Sequence, residues 1–206
     1  MKGAGHLRLT TGRRLISPSG VTTRPTTSRV REAVMNILAR RMNGCRWLDL
    51  CCGSGIMSCE ALERGAESIT AVDQDSRCTK VCLENLRAVN GDDPLGPNIQ
   101  VIRADVLRWL KRSREQSPFD LVYFDPPYDE GLYPKVLKLL IQGSWVHPDS
   151  LLICEHRSNH EPEIGSGWSV KDRRCYGESS LMILNPQERC HHGGTGSRQQ
   201  QTGPSM

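Results

Sequence analysis

Four acids close short apolar runs in this chain: Asp49 in "WLDLCCGSG", Asp73 in "SITAVDQD", Asp105 in "VIRADV" and Asp125 in "DLVYFDPPYDEG". A single aspartate after a strand commonly caps the next helix by accepting from its free N–H groups. Four in succession, the first followed by a glycine turn (Gly53, Gly55), suit a different task. At the carboxyl edge of a parallel sheet such acids meet ribose hydroxyls and other ligand donors, and the glycines let backbone approach the ligand closely. A helix starting near Ser54 would add its unpaired N–H groups to that surface. The dinucleotide fingerprint requires a third small residue where Ser58 stands, so a nicotinamide cofactor is not favoured.

The fourth acid is followed by Pro126, Pro127 and Tyr128. Prolines fix φ and lack an N–H, so this exit from a strand is stiff and its carbonyls are left to accept. The Asp125 carboxylate and a proline carbonyl form a pair of acceptors, which suits a planar exocyclic amine with two N–H groups. Tyr128 adds a flat face on which a base can stack, worth about 1–3 kcal/mol. An enzyme that grips a flipped-out base by its amino group needs these parts. The competing reading is a Pro-Pro turn beside a half-buried tyrosine.

Charge is distributed unevenly. Residues 1–47 hold ten Lys/Arg and one acid, Glu32, whereas the whole chain carries only +4. Basic residues gathered in one segment are the footprint of a polyanion partner, most often nucleic acid, with a solvated arm as the alternative. Arg13, Arg14, Arg24, Arg29 and Arg31 are the candidate phosphate contacts.

The elements that must position these residues follow from periodicity. Val30, Ala33, Val34, Ile37 and Leu38 share one helical face, with Ser28 as the expected N-cap. Apolar runs at 47–51, 69–72, 99–102, 121–124 and 151–154 predict strands. Helical patterns at 57–64, 77–89, 106–112 and 133–141 fall between them. Such alternation predicts an α/β fold with a doubly wound, mostly parallel sheet. Two further runs, 168–171 and 179–184, are joined by a turn at "CYGES" and complete seven strands as an antiparallel pair at the sheet's edge. The expected organisation is a basic hairpin or arm over 1–27, a catalytic domain over 28–185 and a disordered polar tail over 186–206.

With 206 residues and 37% apolar content the chain suits one good-sized domain. No apolar run is long enough for a membrane span, and the amino terminus has no secretory h-region. Nine cysteines without a C-x-x-C spacing are expected as free thiols, which places the chain in a reducing, cytoplasmic compartment. No metal is expected: the "CHH" of the tail lacks the fixed geometry of a real site.

"DLCCGSG" and "FDPPY", in that order, resemble class I S-adenosylmethionine (SAM) methyltransferases that modify exocyclic amines of nucleic-acid bases. The preceding "RPTTSRVREAVMNIL" is similar to a segment of the RsmD family, bacterial methyltransferases acting on the guanine 2-amino group of 16S ribosomal RNA. The resemblance covers roughly residues 6–185. It implies a Rossmann-like SAM-methyltransferase fold and SAM contacts at Asp49, Cys51, Gly53, Ser54, Gly55, Asp73, Gln74, Asp105 and Val106. The catalytic box would be Asp125, Pro126, Pro127 and Tyr128. It also implies 16S rRNA or an assembling small ribosomal subunit as partner, and a monomer is expected. Family members often carry an aromatic or small residue and Ala where this chain has Cys51-Cys52, a change that leaves the glycine loop intact. A DNA amino methyltransferase shares the DPPY box, but the chain lacks an insertion to serve as a DNA-target domain. A non-catalytic RNA-binding relative would not need both motifs intact.

Overall fold

Each apolar run becomes a strand because alternate side chains are taken up by helices on both sides of one sheet. The computed structural model describes residues 7–19, 26–91, 96–112, 117–127 and 131–187. Among them a short hairpin, β1 (Leu7–Arg8) and β2 (Arg14–Leu15), precedes helix α1 (Ser28–Leu38). There follow β3 (Arg46–Leu50), α2 (Ile56–Glu63), β4 (Ser68–Asp73), α3 (Ser76–Asn90), β5 (Asn98–Arg103) and α4 (Val106–Leu110). The chain continues through β6 (Phe119–Phe124), α5 (Leu132–Gln142), β7 (Val146–Arg157), β8 (Trp168–Tyr176) and β9 (Ser179–Pro186).

Seven strands form one sheet in the order β5-β4-β3-β6-β7-β9-β8. The first five in that order are parallel, whereas β9 runs antiparallel to both β7 and β8, and β8 is outermost. Connections leave β3 in one direction through β4 and β5, then return to its other side with β6. The boundary between β3 and β6 is therefore the switch point at which ligands bind in open α/β sheets.

Alternation along the strands divides the core. Trp47, Leu121 and Tyr123 face a layer built from α1, α2 and α3. Leu48, Leu50, Val122 and Phe124 face α4 and α5, where Trp109, Phe119 and Trp145 pack ring against ring. Each large side chain removed from water contributes about 1.5–3 kcal/mol, so both layers hold the sheet's carboxyl edge rigidly.

The amino-terminal residues pack onto the first layer. Leu7, Leu9 and Leu15 are buried in it. Glu60, fully buried on α2, accepts from the Thr10 N–H at 2.8 Å and its hydroxyl at 2.7 Å, and pairs with Arg64 at 2.6 Å. Arg31 lies 3.6 Å from Glu60 and donates to the carbonyls of Thr26 (2.6 Å) and Arg8 (2.7 Å). A buried charge is tolerable because it is paired and hydrogen-bonded in this way.

Several boundaries differ from expectation. The cap of α1 is Thr27, whose side chain accepts from Val30 N, and not Ser28. Helix α2 starts at Ile56, two residues after Ser54, because Gly55 is held in the left-handed region at φ 73°. Pro186 is not part of a disordered tail but ends β9 opposite Trp168; residues 188–206 lie outside the described residues. The eight cysteines among the described residues are free. No helix among them is long and apolar enough to cross a membrane, and no group of three or more His, Cys, Asp or Glu could hold a metal ion.

Candidate active site

Register places the two motifs side by side. Leu50 of β3 is paired with Phe124 of β6, and with Val72 of β4 on its other flank. The next residues, Cys51, Asp125 and Asp73, therefore leave three adjacent parallel strands at one level. Neighbouring strands are about 4.8 Å apart, so the glycine turn and the Asp-Pro-Pro corner border the same crevice.

The glycine turn is braced from below. Cys51 and Cys52 both donate their N–H to the Val72 carbonyl, at 2.9 and 3.1 Å, and Gly55 N–H donates to Cys52 O at 2.8 Å. Cys51 has φ 65°, a strained conformation for a residue with a side chain. Asn85 of α3 donates its amide to Ser54 O at 2.9 Å and to Ile16 O at 3.0 Å. One side chain thus ties the turn to the amino-terminal segment.

Asp73 sits half-buried at the end of β4. One carboxylate oxygen accepts from Gly53 N–H at 2.9 Å and the other from Asp75 N–H at 2.8 Å. Each oxygen has a second lone pair with which to accept from a hydroxyl. Gln74 beside it is exposed. Asp105 is exposed too, and does cap a helix: its carboxylate accepts from Arg108 N–H at 2.9 Å at the start of α4. Val106 is buried in the α4–α5 layer, so its contribution is packing beneath the site. Pro126 is buried and Pro127 exposed. Tyr128 lies outside the described residues.

Asp49 occupies a different place from the one expected. It lies two residues below the edge, paired across the sheet with Ala71 and Tyr123. Only 1% exposed, it accepts from the Ser58 hydroxyl at 2.6 Å. It supports the turn from beneath rather than lining the crevice. Burial pushes its carboxyl up to about 7, against the pull of the Ser58 hydroxyl and with a further push from Asp73. The folded state therefore holds this proton more tightly than the unfolded chain, whose aspartates titrate near 4. Its contribution to stability is full below about pH 4 and is lost as pH rises through about 7. In Asp49→Asn that loss should vanish, and urea unfolding between pH 4 and 7 should show a flatter stability curve than the parent by a few kcal/mol. Parallel curves for the two proteins would contradict this.

The Cys51 thiol is pushed well above its ordinary value, first by burial and then by the charges of Asp73, Asp125, Asp49 and Asp105. Asp73, Asp125 and Asp105, at or just past the ends of β4, β6 and β5, make this edge of the sheet acidic, which favours a cationic ligand. The thiol itself stays protonated, and a protonated thiol is a poor nucleophile.

The five candidate arginines are placed differently from one another. Arg14 and Arg29 are exposed. Arg13 is exposed but clasps the body, donating to Ala88 O at 2.7 Å and lying 3.6 Å from Glu63. Arg31 is only 6% exposed and joins the amino-terminal segment to Glu60; a direct phosphate contact is ruled out by that burial. Arg24 lies outside the described residues. Glu60 and Asn85 were missed by sequence reasoning, although each is a polar residue in the apolar phase of a helix.

A family profile described as "Conserved hypothetical protein 95" matches residues 4–185. Bacillus subtilis "Putative rRNA methyltransferase YlbH" is 32% identical over 174 residues, covering 84% of this chain and 92% of that protein. "Ribosomal RNA small subunit methyltransferase D" of Escherichia coli K12 is 29% identical over 186 residues, covering 88% of this chain and 90% of its own length. Among solved structures, a putative methyltransferase yhhF from Escherichia coli superposes with a TM-score of 0.74 at 26% identity, over 86% of this chain and 94% of that one.

Proposed function

The chain belongs to the conserved hypothetical protein 95 family, the RsmD methyltransferases, and from that membership we propose that it transfers a methyl from SAM to the 2-amino group of a guanine in 16S rRNA. One observation carries this reading: the pairing of Leu50 with Phe124, which sets the glycine turn and the Asp-Pro-Pro corner on neighbouring strands at one level. The relatives named as small-subunit rRNA methyltransferases supply the substrate class.

The residues at the crevice fit SAM. Asp73 has lone pairs for ribose hydroxyls while its other bonds brace Gly53. A side chain on Gly53 would meet nothing within 4 Å, so the turn has open space above it for a ligand. The carboxylates of Asp73 and Asp105, at the ends of β4 and β5, suit the positive charges of a sulfonium and an amino group. Bound there, SAM supplies an electrophilic methyl on a cationic sulfur.

The chain's own groups do the rest. Asp125 and the Pro126 carbonyl accept the two N–H groups of the target amine and hold its lone pair in one direction. Alignment of this kind removes much of the barrier. As positive charge develops on the nitrogen, the fixed Asp125 anion is nearest to it, and a preorganised charge of this kind acts most strongly there. The amine becomes acidic only as it is methylated, so its surplus proton passes to the Asp125 carboxylate or to solvent and no strong general base is required. Tyr128 is assigned the stacking face, and Arg14 and Arg29 are assigned to RNA phosphates.

Incubation with methyl-labelled SAM and either deproteinised 16S rRNA, assembling small subunits or DNA tests the reading. Digestion of the product should yield labelled N2-methylguanosine. Label in a DNA adenine, or none in any acceptor, would overturn it.

A further inference from the structure

A tyrosine flanked by two arginines stands on the outer strands of the sheet, and the assigned catalytic groups do not use it. The Arg29 guanidinium lies over the Tyr176 ring, 5.8 Å from its centroid. Arg174, two residues before Tyr176 on the same strand and so on the same face, pairs with Asp172 at 2.8 Å. Both arginines are exposed and Tyr176 is partly so.

Position relative to the crevice follows from register. Phe124 pairs with Cys154, which places Asp125 in the row of Glu155. Glu155 pairs with Leu181, and Leu181 with Arg174. Arg174 is thus in the same row as Asp125, three strand spacings or about 14 Å along the sheet. Tyr176 is two residues further toward the carboxyl end of β7, level with Ser179 and Arg157, and packs against the α1 layer. The cluster therefore stands at the crevice's own end of the sheet, on the α1 side.

Arg29 also occupies a position that helix physics disfavours. It lies in the first turn of α1, which contains no acid, although the positive end of a helix dipole repels a cation. Arg31 in the same turn is compensated by Glu60. Arg29 has an aromatic face beneath it and solvent beyond, a setting in which an incoming anion gains from both guanidinium and helix end.

We propose that Arg29, Tyr176 and Arg174 form a docking platform for single-stranded RNA flanking the target guanine, with phosphates on the two guanidiniums and a base against the tyrosine. A stacking face between cations is how sequence-tolerant single-strand binding is built. Its separation from Asp125 is one that a few nucleotides of extended strand cover. The inference rests on the RNA reading above, and extends its RNA surface from Arg29 of the basic segment onto the edge strand β8.

Binding of a fluorescein-labelled single-stranded RNA oligonucleotide to the full chain, titrated at several salt concentrations, tests this apart from methyl transfer. Arg29→Ala/Arg174→Ala should weaken binding about 10-fold and lower the salt slope by about 1.4, since each phosphate contact on a single strand contributes about 0.7. Tyr176→Ala should weaken it about 10-fold and Tyr176→Phe hardly at all. SAM affinity should be unchanged in all three variants, and the melting temperature unchanged in the arginine double variant and in Tyr176→Phe. Arg40→Ala/Arg41→Ala, which removes equal charge near the opposite end of the sheet, should bind like the parent. Equal loss from both double variants, unchanged binding in the first, or no RNA binding by the parent would overturn the platform. A parent that binds RNA through these residues yet methylates none would leave the platform standing and remove the proposed reaction.

Discussion

Asp125→Ala lowers methyl transfer by about 10²–10³-fold while SAM binding stays within about twofold of the parent, the loss expected when one preorganised electrostatic group is removed. The asymmetry follows from geometry. Asp125 leaves β6, while the groups assigned to SAM leave β3, β4 and β5, so deleting its carboxylate touches the acceptor side of the crevice. Asp125→Asn should be nearly as damaging. Its carboxamide oxygen can still accept one N–H of the amine, but the charge that meets the developing cation is gone. Single-turnover rates with saturating SAM, beside equilibrium SAM binding, separate the effects. Turnover close to the parent's would discard the mechanism, and a parallel loss of SAM affinity would mean that Asp125 belongs to the cofactor's side.

Gly55→Ala destabilises the protein by about 2–5 kcal/mol. Left-handed backbone with a side chain costs about 1–2 kcal/mol, and forcing atoms into a filled space costs about 1–3 more. Gly55 has φ 73°, and a Cβ there would meet Cys82 Sγ at 2.4 Å, its Cβ at 3.1 Å and its Cα at 3.2 Å. The thiol can turn aside but the α3 backbone cannot, so Cys82→Ala in the same chain should restore only part of the loss. Gly53→Ala provides the contrast. Its φ is 53° but nothing lies within 4 Å of the added carbon, so only the left-handed cost of about 1–2 kcal/mol applies. Urea unfolding of the three variants checks the order. Equal losses at Gly53 and Gly55 would show that the close approach of α3 to the turn is not what makes Gly55 necessary.

The two glycines illustrate how far residue types go. Both stand in one short motif and both are recognisable as a turn, yet nothing in "CCGSGI" says that one faces open space and the other Cys82, twenty-seven residues further on in α3. The same holds for the acids. Asp73 and Asp125 end strands and sit at the edge, as their place after apolar runs implies. Asp105 sits there as a helix cap. Asp49 is also preceded by an apolar run, yet it lies inside β3 and is buried. Register decides between these cases, and register is set by the pairing of strands distant in sequence. Arg31 shows the charged counterpart. Its position in a basic segment suggested a phosphate contact, but Glu60, twenty-nine residues away, draws it into the core.

Local signals sufficed for the layered α/β architecture, the number of strands, the glycine turn and the acid-proline-proline exit, because periodicity, turn chemistry and missing N–H groups act over a few residues. The sheet order that puts β6 beside β3, the burial of Asp49 and Arg31, and the meeting of Arg29 with Tyr176 were decided only by tertiary structure. Each depends on which distant segments share a neighbour, and the free energy of that choice belongs to the packed core as a whole and not to any one stretch of chain.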